Sequence, residues 1–256
     1  MKNIFKITLL FSLITNVNFN LSAQEIIPGA FRINNFKKEI EGKKIGVVAN
    51  HSSIIINDGK STHLVDSLIY LDIDVRKIFS PEHGFKGDID DGALIKDGKY
   101  RNTIDIISLY GSNKEMKVKD ISDLDVLIFD IQDVGVRYYT YLSTLHYVME
   151  AVAKANKKLI VLDRPNPNSH YIDGPVLDLK YSSFIGLHPV PIVYGMTIGE
   201  YALMINGENW LENGMKTKLD IIKIKNYNHQ SNYSPPVDPS PNLPNIQSIL
   251  LYPSLA

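Results

Sequence analysis

Glu82 lies in the run Ser80-Pro81-Glu82-His83-Gly84, directly behind the strand-like stretch 75–79. A carboxylic acid at the end of a buried strand, partly withdrawn from water, can hold a proton and act as a general acid. Pro81 fixes its own φ, and Gly84 and Gly87 let backbone approach a ligand closely. A solvated loop glutamate fits these residues equally well. Asp130 and Asp133 are spaced i, i+3 across the end of the apolar run 125–131. Both could enter one pocket as catalytic carboxylates, or one could cap the helix that follows.

Other polar residues fall at similar places. Asn50 and His51 follow the run 44–49, and His83 adjoins Glu82. Asp163 and Arg164 follow the run 158–162, as a ligand contact or as an ion pair holding the loop Pro165-Asn166-Pro167. Arg137 sits at the start of a long helical pattern, where the helix dipole disfavours a cation, so it hints at an anionic ligand. Tyr138, Tyr139 and Tyr141 offer flat amphipathic faces suited to sugar rings, although packing in a core is their commoner use. His51, His83, Asp130, Asp133 and Asp163 could build a metal site, as in a metal-dependent phosphoesterase. None of them shows tight ligand spacing such as HxH or DxH, so no metal and no cofactor is expected. GxSxG, P-loop, GxGxxG and HExxH signatures are absent, which removes the usual esterase, kinase, dehydrogenase and zincin readings.

These residues need a frame. Strand-like runs at 44–49, 75–79, 104–110, 125–131, 158–162 and 219–224 alternate with helical patterns at 62–71, 139–156 and 197–211. The last opens on a capping box, Thr197 with Glu200. Strands apolar on both faces and separated by helices predict a mostly parallel sheet covered by helices, an α/β, Rossmann-like, doubly wound fold. Ligands of such sheets bind outside the carboxyl ends of the strands, where the polar residues above fall. Residues 234–244 carry five prolines and cannot be regular structure. The expected organisation is a signal peptide over 1–23, a catalytic domain over 24–228, and a Pro-rich segment over 229–256 leading into a domain missing from this chain.

The signal-peptide expectation rests on Lys2 and Lys6, the mostly apolar run 7–14 and the small residue Ala23 at a cleavage point. It implies export to the periplasm. The absence of Cys excludes a lipid-anchored cysteine, thiolate metal sites and a thiol nucleophile. With 27 basic and 28 acidic residues the chain has no electrostatic footprint for nucleic acid or an anionic membrane. A small or polymeric polar partner is expected instead.

The blocks Gly46-Val47-Val48-Ala49-Asn50-His51-Ser52, Phe79-Ser80-Pro81-Glu82-His83-Gly84-Phe85-Lys86-Gly87, Asp130 through Tyr141, Leu162-Asp163-Arg164-Pro165-Asn166-Pro167, Asp173-Gly174-Pro175 and Pro241-Asn242-Leu243-Pro244 stand in this order along the chain. Together they resemble the NamZ-like exo-β-N-acetylmuramidases, bacterial glycosidases formerly catalogued as a domain of unknown function. The resemblance implies a Rossmann-like catalytic domain and a smaller C-terminal domain, with the active site in the cleft between them. It implies release of N-acetylmuramic acid from non-reducing ends of peptidoglycan fragments, with Glu82 as the catalytic residue. Family members continue beyond the point where this sequence stops. Within this reading Arg137 is expected to clamp the lactyl carboxylate that distinguishes muramic acid from N-acetylglucosamine. The alternatives are the phosphoesterase and a non-catalytic muropeptide-binding protein.

Overall fold

A computed structural model describes residues 24–87 and 97–255; the expected signal peptide lies outside the described residues. Among the described residues are nine strands: β1 (Ile45–Ala49), β2 (Ile54–Asn57), β3 (Lys60–His63), β4 (Val75–Ser80), β5 (Gly98–Tyr100), β6 (Ile104–Ser108), β7 (Val126–Asp130), β8 (Lys158–Leu162) and β9 (Lys218–Ile222). Seven form one sheet in the order β5-β6-β4-β1-β7-β8-β9, in which β5 alone is antiparallel to its neighbour. Counting the parallel strands only, the order is 3-2-1-4-5-6, that of a doubly wound Rossmann sheet.

Six α-helices among the described residues cover it: α1 (Lys37–Ile40), α2 (Leu64–Tyr70), α3 (Val118–Ile121), α4 (Tyr141–Lys154), α5 (Ile198–Gly207) and α6 (Ile246–Leu251). Successive strand residues point to opposite faces, so each central strand feeds two cores. Val48, Phe79, Leu127, Phe129 and Val161 pack with Ile121, Leu145, Val152, Tyr201 and Ile249 from α3 to α6. Val47, Ile78, Val126, Ile128 and Ile160 pack with Phe36, Ile40, Leu64 and Leu68 from α1 and α2. Burial on both sides explains why β1 and β7 are apolar almost throughout. Truncating Phe129, fully buried between layers, would cost about 3–5 kcal/mol.

The expected helix over 62–71 begins later, because residues 54–63 form the β2–β3 hairpin. Asp58 and Gly59 both have positive φ, 48° and 73°, as a tight two-residue hairpin turn requires. The Pro-rich segment is irregular and folds back across the carboxyl ends of the strands. Ser240 and Leu243 are buried there, and Ile249 of α6 enters the core.

Candidate active site

β1 and β7 are neighbours at the point where the winding reverses, and β4 lies on the other side of β1. Their carboxyl ends therefore deliver Asn50, Asp130 and Glu82 to the crevice where such sheets bind ligands. After β4 the chain turns sharply, with Gly84 N donating to Pro81 O at 3.1 Å. His83 adopts φ of 68°, a strained value for a residue with a side chain, and is buried. Gly87 closes the turn against His51; a Cβ there would lie 2.0 Å from His51 Nδ1.

Glu82 is half-buried at this turn. Its Oε2 accepts a hydrogen bond from Thr140 Oγ1 at 2.6 Å. Tyr141 OH reaches the Glu82 carbonyl at 3.4 Å and receives Asn50 Nδ2 at 3.0 Å. Asn50 Oδ1 is filled by Ser52 N and Ser52 Oγ. Asn50 is thus a buried brace joining the ends of β1 and β4 to the start of α4. His51 Nε2 donates to Asp238 O at 2.7 Å, anchoring the Pro-rich segment, and burial lowers the pKa of its ring.

The crevice holds a cleft of ≈ 420 Å³ lined by Glu82, His83, Thr140, Ser240, Asn242, Leu243 and five tyrosines: 110, 138, 139, 141 and 252. Tyr139 and Tyr141 meet edge to face at 4.6 Å between centroids, as do Tyr138 and Tyr252 at 5.0 Å. Tyr139 OH donates to Pro239 O at 3.0 Å, and burial raises this phenol well above its ordinary pKa, so it stays a neutral donor. Tyr138 OH donates to Tyr252 O. Among the described residues that line the cleft, Glu82 supplies the carboxylate. The arrangement can place a sugar ring on aromatic faces with one proton-exchanging group beside it. A larger groove of ≈ 860 Å³, near Asn168, Tyr171 and Tyr233, has no Asp or Glu among its lining residues.

Several expected site residues lie elsewhere. Asp130 and Asp133 do not converge. Asp130 is fully buried and receives Arg164 Nε at 2.5 Å and Arg164 Nη2 at 2.9 Å. Asp133 Oδ2 accepts from Gly135 N at 2.8 Å and from Tyr194 OH, and burial raises its pKa to about 6. Neither caps a helix. Asp163 and Arg164 do not form the ion pair that was one of the two readings of this dipeptide, because each side chain is taken up by other partners. Asp163 instead accepts Gly199 N at 2.8 Å and Thr197 Oγ1 at 2.9 Å at the start of α5, and burial lifts its pKa to about 7. Asn166 donates to Met196 O at 2.8 Å and packs on Gly135, where a Cβ would come within 2.2 Å of it.

Arg137 precedes α4 by four residues and donates to Pro175 O at 2.8 Å and Val190 O at 2.5 Å. It lines a second groove with Leu177, Tyr181 and Gly186, which adjoins the Glu82 cleft at Tyr138. It serves as a staple between loops. No three His, Asp or Glu side chains among the described residues could hold a metal ion together. Sequence reasoning missed Thr140, Ser240, Asn242 and Tyr252. The first looks like any helix cap, and the others reach the cleft only through the return of the Pro-rich segment.

The sheet order and the cleft at its switch point define a Rossmann-type α/β domain with a carboxylate-bearing, tyrosine-lined site. The family described as "Exo-beta-N-acetylmuramidase NamZ, N-terminal" matches residues 45–247, and the chain belongs to that family. It is 38% identical over 231 residues to the peptidoglycan beta-N-acetylmuramidase NamZ of Bacillus subtilis, covering 86% of this chain and 53% of that protein. Two solved DUF1343 family proteins of Bacteroides fragilis superpose with TM-scores of 0.77 at 43% and 32% identity, covering 90% and 89% of this chain and 60% and 58% of theirs. The chain spans about half the length of the curated relative it matches.

Proposed function

We propose that this chain carries the catalytic domain of an exo-acting glycoside hydrolase that releases N-acetylmuramic acid from non-reducing ends of peptidoglycan fragments. The observation that carries this reading is Glu82, held at 2.6 Å by Thr140 in a cleft walled by tyrosines. The Bacillus subtilis relative is a peptidoglycan beta-N-acetylmuramidase, which supports the substrate class.

In this reading Glu82 gives its proton to the glycosidic oxygen as the C1–O bond breaks. Asp130 is committed to Arg164, Asp133 is buried, and neither lines the Glu82 cleft, so neither is available at the anomeric carbon. We assign the attack on C1 to the acetamido oxygen of the substrate itself, a route open to N-acetyl sugars. Water then opens the resulting ring, giving its proton to the Glu82 carboxylate, and the released sugar retains its configuration. His83, Tyr138 and Tyr139 are the sugar-binding residues of this scheme; Asn50, His51, Asp163, Arg164 and Asn166 brace the loops around it. The partners are muropeptides or MurNAc-GlcNAc oligosaccharides, met in the periplasm after export. No helix among the described residues is long and apolar enough to cross a membrane.

The test is incubation of the protein with MurNAc-GlcNAc oligosaccharides and with the same chains capped at the non-reducing end. Free N-acetylmuramic acid from the first substrate only is the expected result. Internal cleavage of the capped chains would contradict exo action.

A further inference from the structure

Thr140 stands at the N-terminal boundary of α4, with φ −66° and ψ −9°, yet its side chain makes no capping hydrogen bond. A threonine that caps a helix accepts an N–H of the first turn from an extended backbone, whereas the backbone of Thr140 is already helical. Thr197 of the same chain caps in that way: it accepts Glu200 N at 3.2 Å while donating to Asp163 Oδ2 at 2.9 Å. The Thr140 hydroxyl gives its proton to Glu82 Oε2 at 2.6 Å and caps nothing. Its backbone is fixed independently, because Thr140 O accepts both Ser143 N and Thr144 N at 3.0 Å. The helix behind it is held by ten buried residues, and a β-branched side chain has little χ1 freedom. Tyr141 OH meanwhile reaches the Glu82 carbonyl. Consecutive residues of one helix start thus hold both the main chain and the side chain of Glu82.

We infer that Thr140 is a positioning residue for Glu82: its hydroxyl occupies Oε2 and leaves Oε1 as the oxygen that exchanges the proton with the substrate. This rests on the reading of Glu82 as proton donor. A hydroxyl has a single proton to give, so Oε2 is satisfied throughout the cycle and the carboxyl cannot rotate freely. The hydrogen bond also stabilises the carboxylate left after proton transfer, aided by the partial positive charge at the start of a 14-residue helix.

The test compares Thr140→Val, Thr140→Ser and Glu82→Gln in the intact protein, on a MurNAc-GlcNAc disaccharide across pH. Thr140→Val keeps the shape and loses the donor; kcat should fall roughly ten- to hundredfold with KM within about twofold. The limb of the pH–rate profile that Glu82→Gln removes should move to higher pH in Thr140→Val, since a donor to the carboxylate is gone. Thr140→Ser should restore kcat to within about threefold and return the limb to its place. A Thr140→Val enzyme with near-normal kcat and an unmoved limb, beside an inactive Glu82→Gln, would overturn this inference alone. Equal losses in the Val and Ser variants with lowered Tm would assign Thr140 to the fold and overturn it as well. An active Glu82→Gln would remove the proton-donor reading on which it rests.

Discussion

Arg164 and Asp130 form a two-pronged ion pair at the carboxyl ends of β8 and β7, with contacts of 2.5 and 2.9 Å and almost no exposure of either side chain. Arg164 Nη2 also donates to Ile54 O, so the pair ties the β2–β3 hairpin to the sheet beneath the cleft. Removing one partner leaves a buried charge uncompensated. Arg164→Met should therefore destabilise the protein by about 3–5 kcal/mol in urea unfolding. A change below about 1 kcal/mol would mean that the pair contributes little.

Arg137 staples Pro175 and Val190 in a groove that adjoins the Glu82 cleft at Tyr138. Arg137→Met should leave two carbonyls unpaired and cost about 1–3 kcal/mol of stability. Activity on muramides and on N-acetylglucosaminides should change by the same factor. A loss confined to muramides would return Arg137 to the role of a lactyl-carboxylate clamp.

Asp163 is buried with its pKa raised to about 7, despite hydrogen bonds from Gly199 and Thr197 that favour its charged form. The folded state thus binds this proton more tightly than the unfolded chain. Its contribution to stability is fully present below pH 4 and is lost as pH rises toward 7, by up to about 4 kcal/mol. Burial moves His188 the other way, to about 3, so its contribution is lost as pH falls below 6.5. Comparing unfolding free energies of wild type and Asp163→Asn isolates the first group. Wild type should lose stability relative to the variant between pH 4 and 7. A pH-independent difference would show that Asp163 does not titrate in that range.

If the acetamido oxygen attacks C1, fluorination of the acetyl group should slow hydrolysis, because each fluorine withdraws electrons from that oxygen. Mono-, di- and trifluoroacetyl muramides should turn over progressively more slowly, with losses above about a hundredfold across the series. A flat series would point to an enzyme nucleophile and exclude the substrate-assisted route.

Much of this fold was legible because its strands are buried on both sides, and such strands stand out as apolar runs. The run 125–131 contains β7, and Thr197 and Glu200 form the capping box their spacing predicts. The hairpin was less legible, since Lys60-Ser61-Thr62-His63 is polar and exposed on its outer strand. Its signal is Asp58-Gly59 directly after the β-branched run Ile54-Ile55-Ile56. Placing Glu82, Asn50 and Asp130 at strand ends was within reach of sequence. Which of them faces the cleft was not, because that depends on cross-strand partners far away in the chain. Adjacent Asp163 and Arg164 invite pairing, yet just beyond β8 one turns toward α5 and the other toward Asp130.

The central claim is that Glu82 supplies the proton for glycosidic cleavage. The most direct measurement is turnover by Glu82→Gln of two muramides, one leaving as GlcNAc and one as an activated nitrophenol. The amide keeps the shape and cannot supply the proton. The account predicts a loss of about a hundredfold or more on the disaccharide and a much smaller loss on the nitrophenyl substrate, with Tm unchanged. Near wild-type turnover of the disaccharide, or equal losses on both substrates, would contradict it.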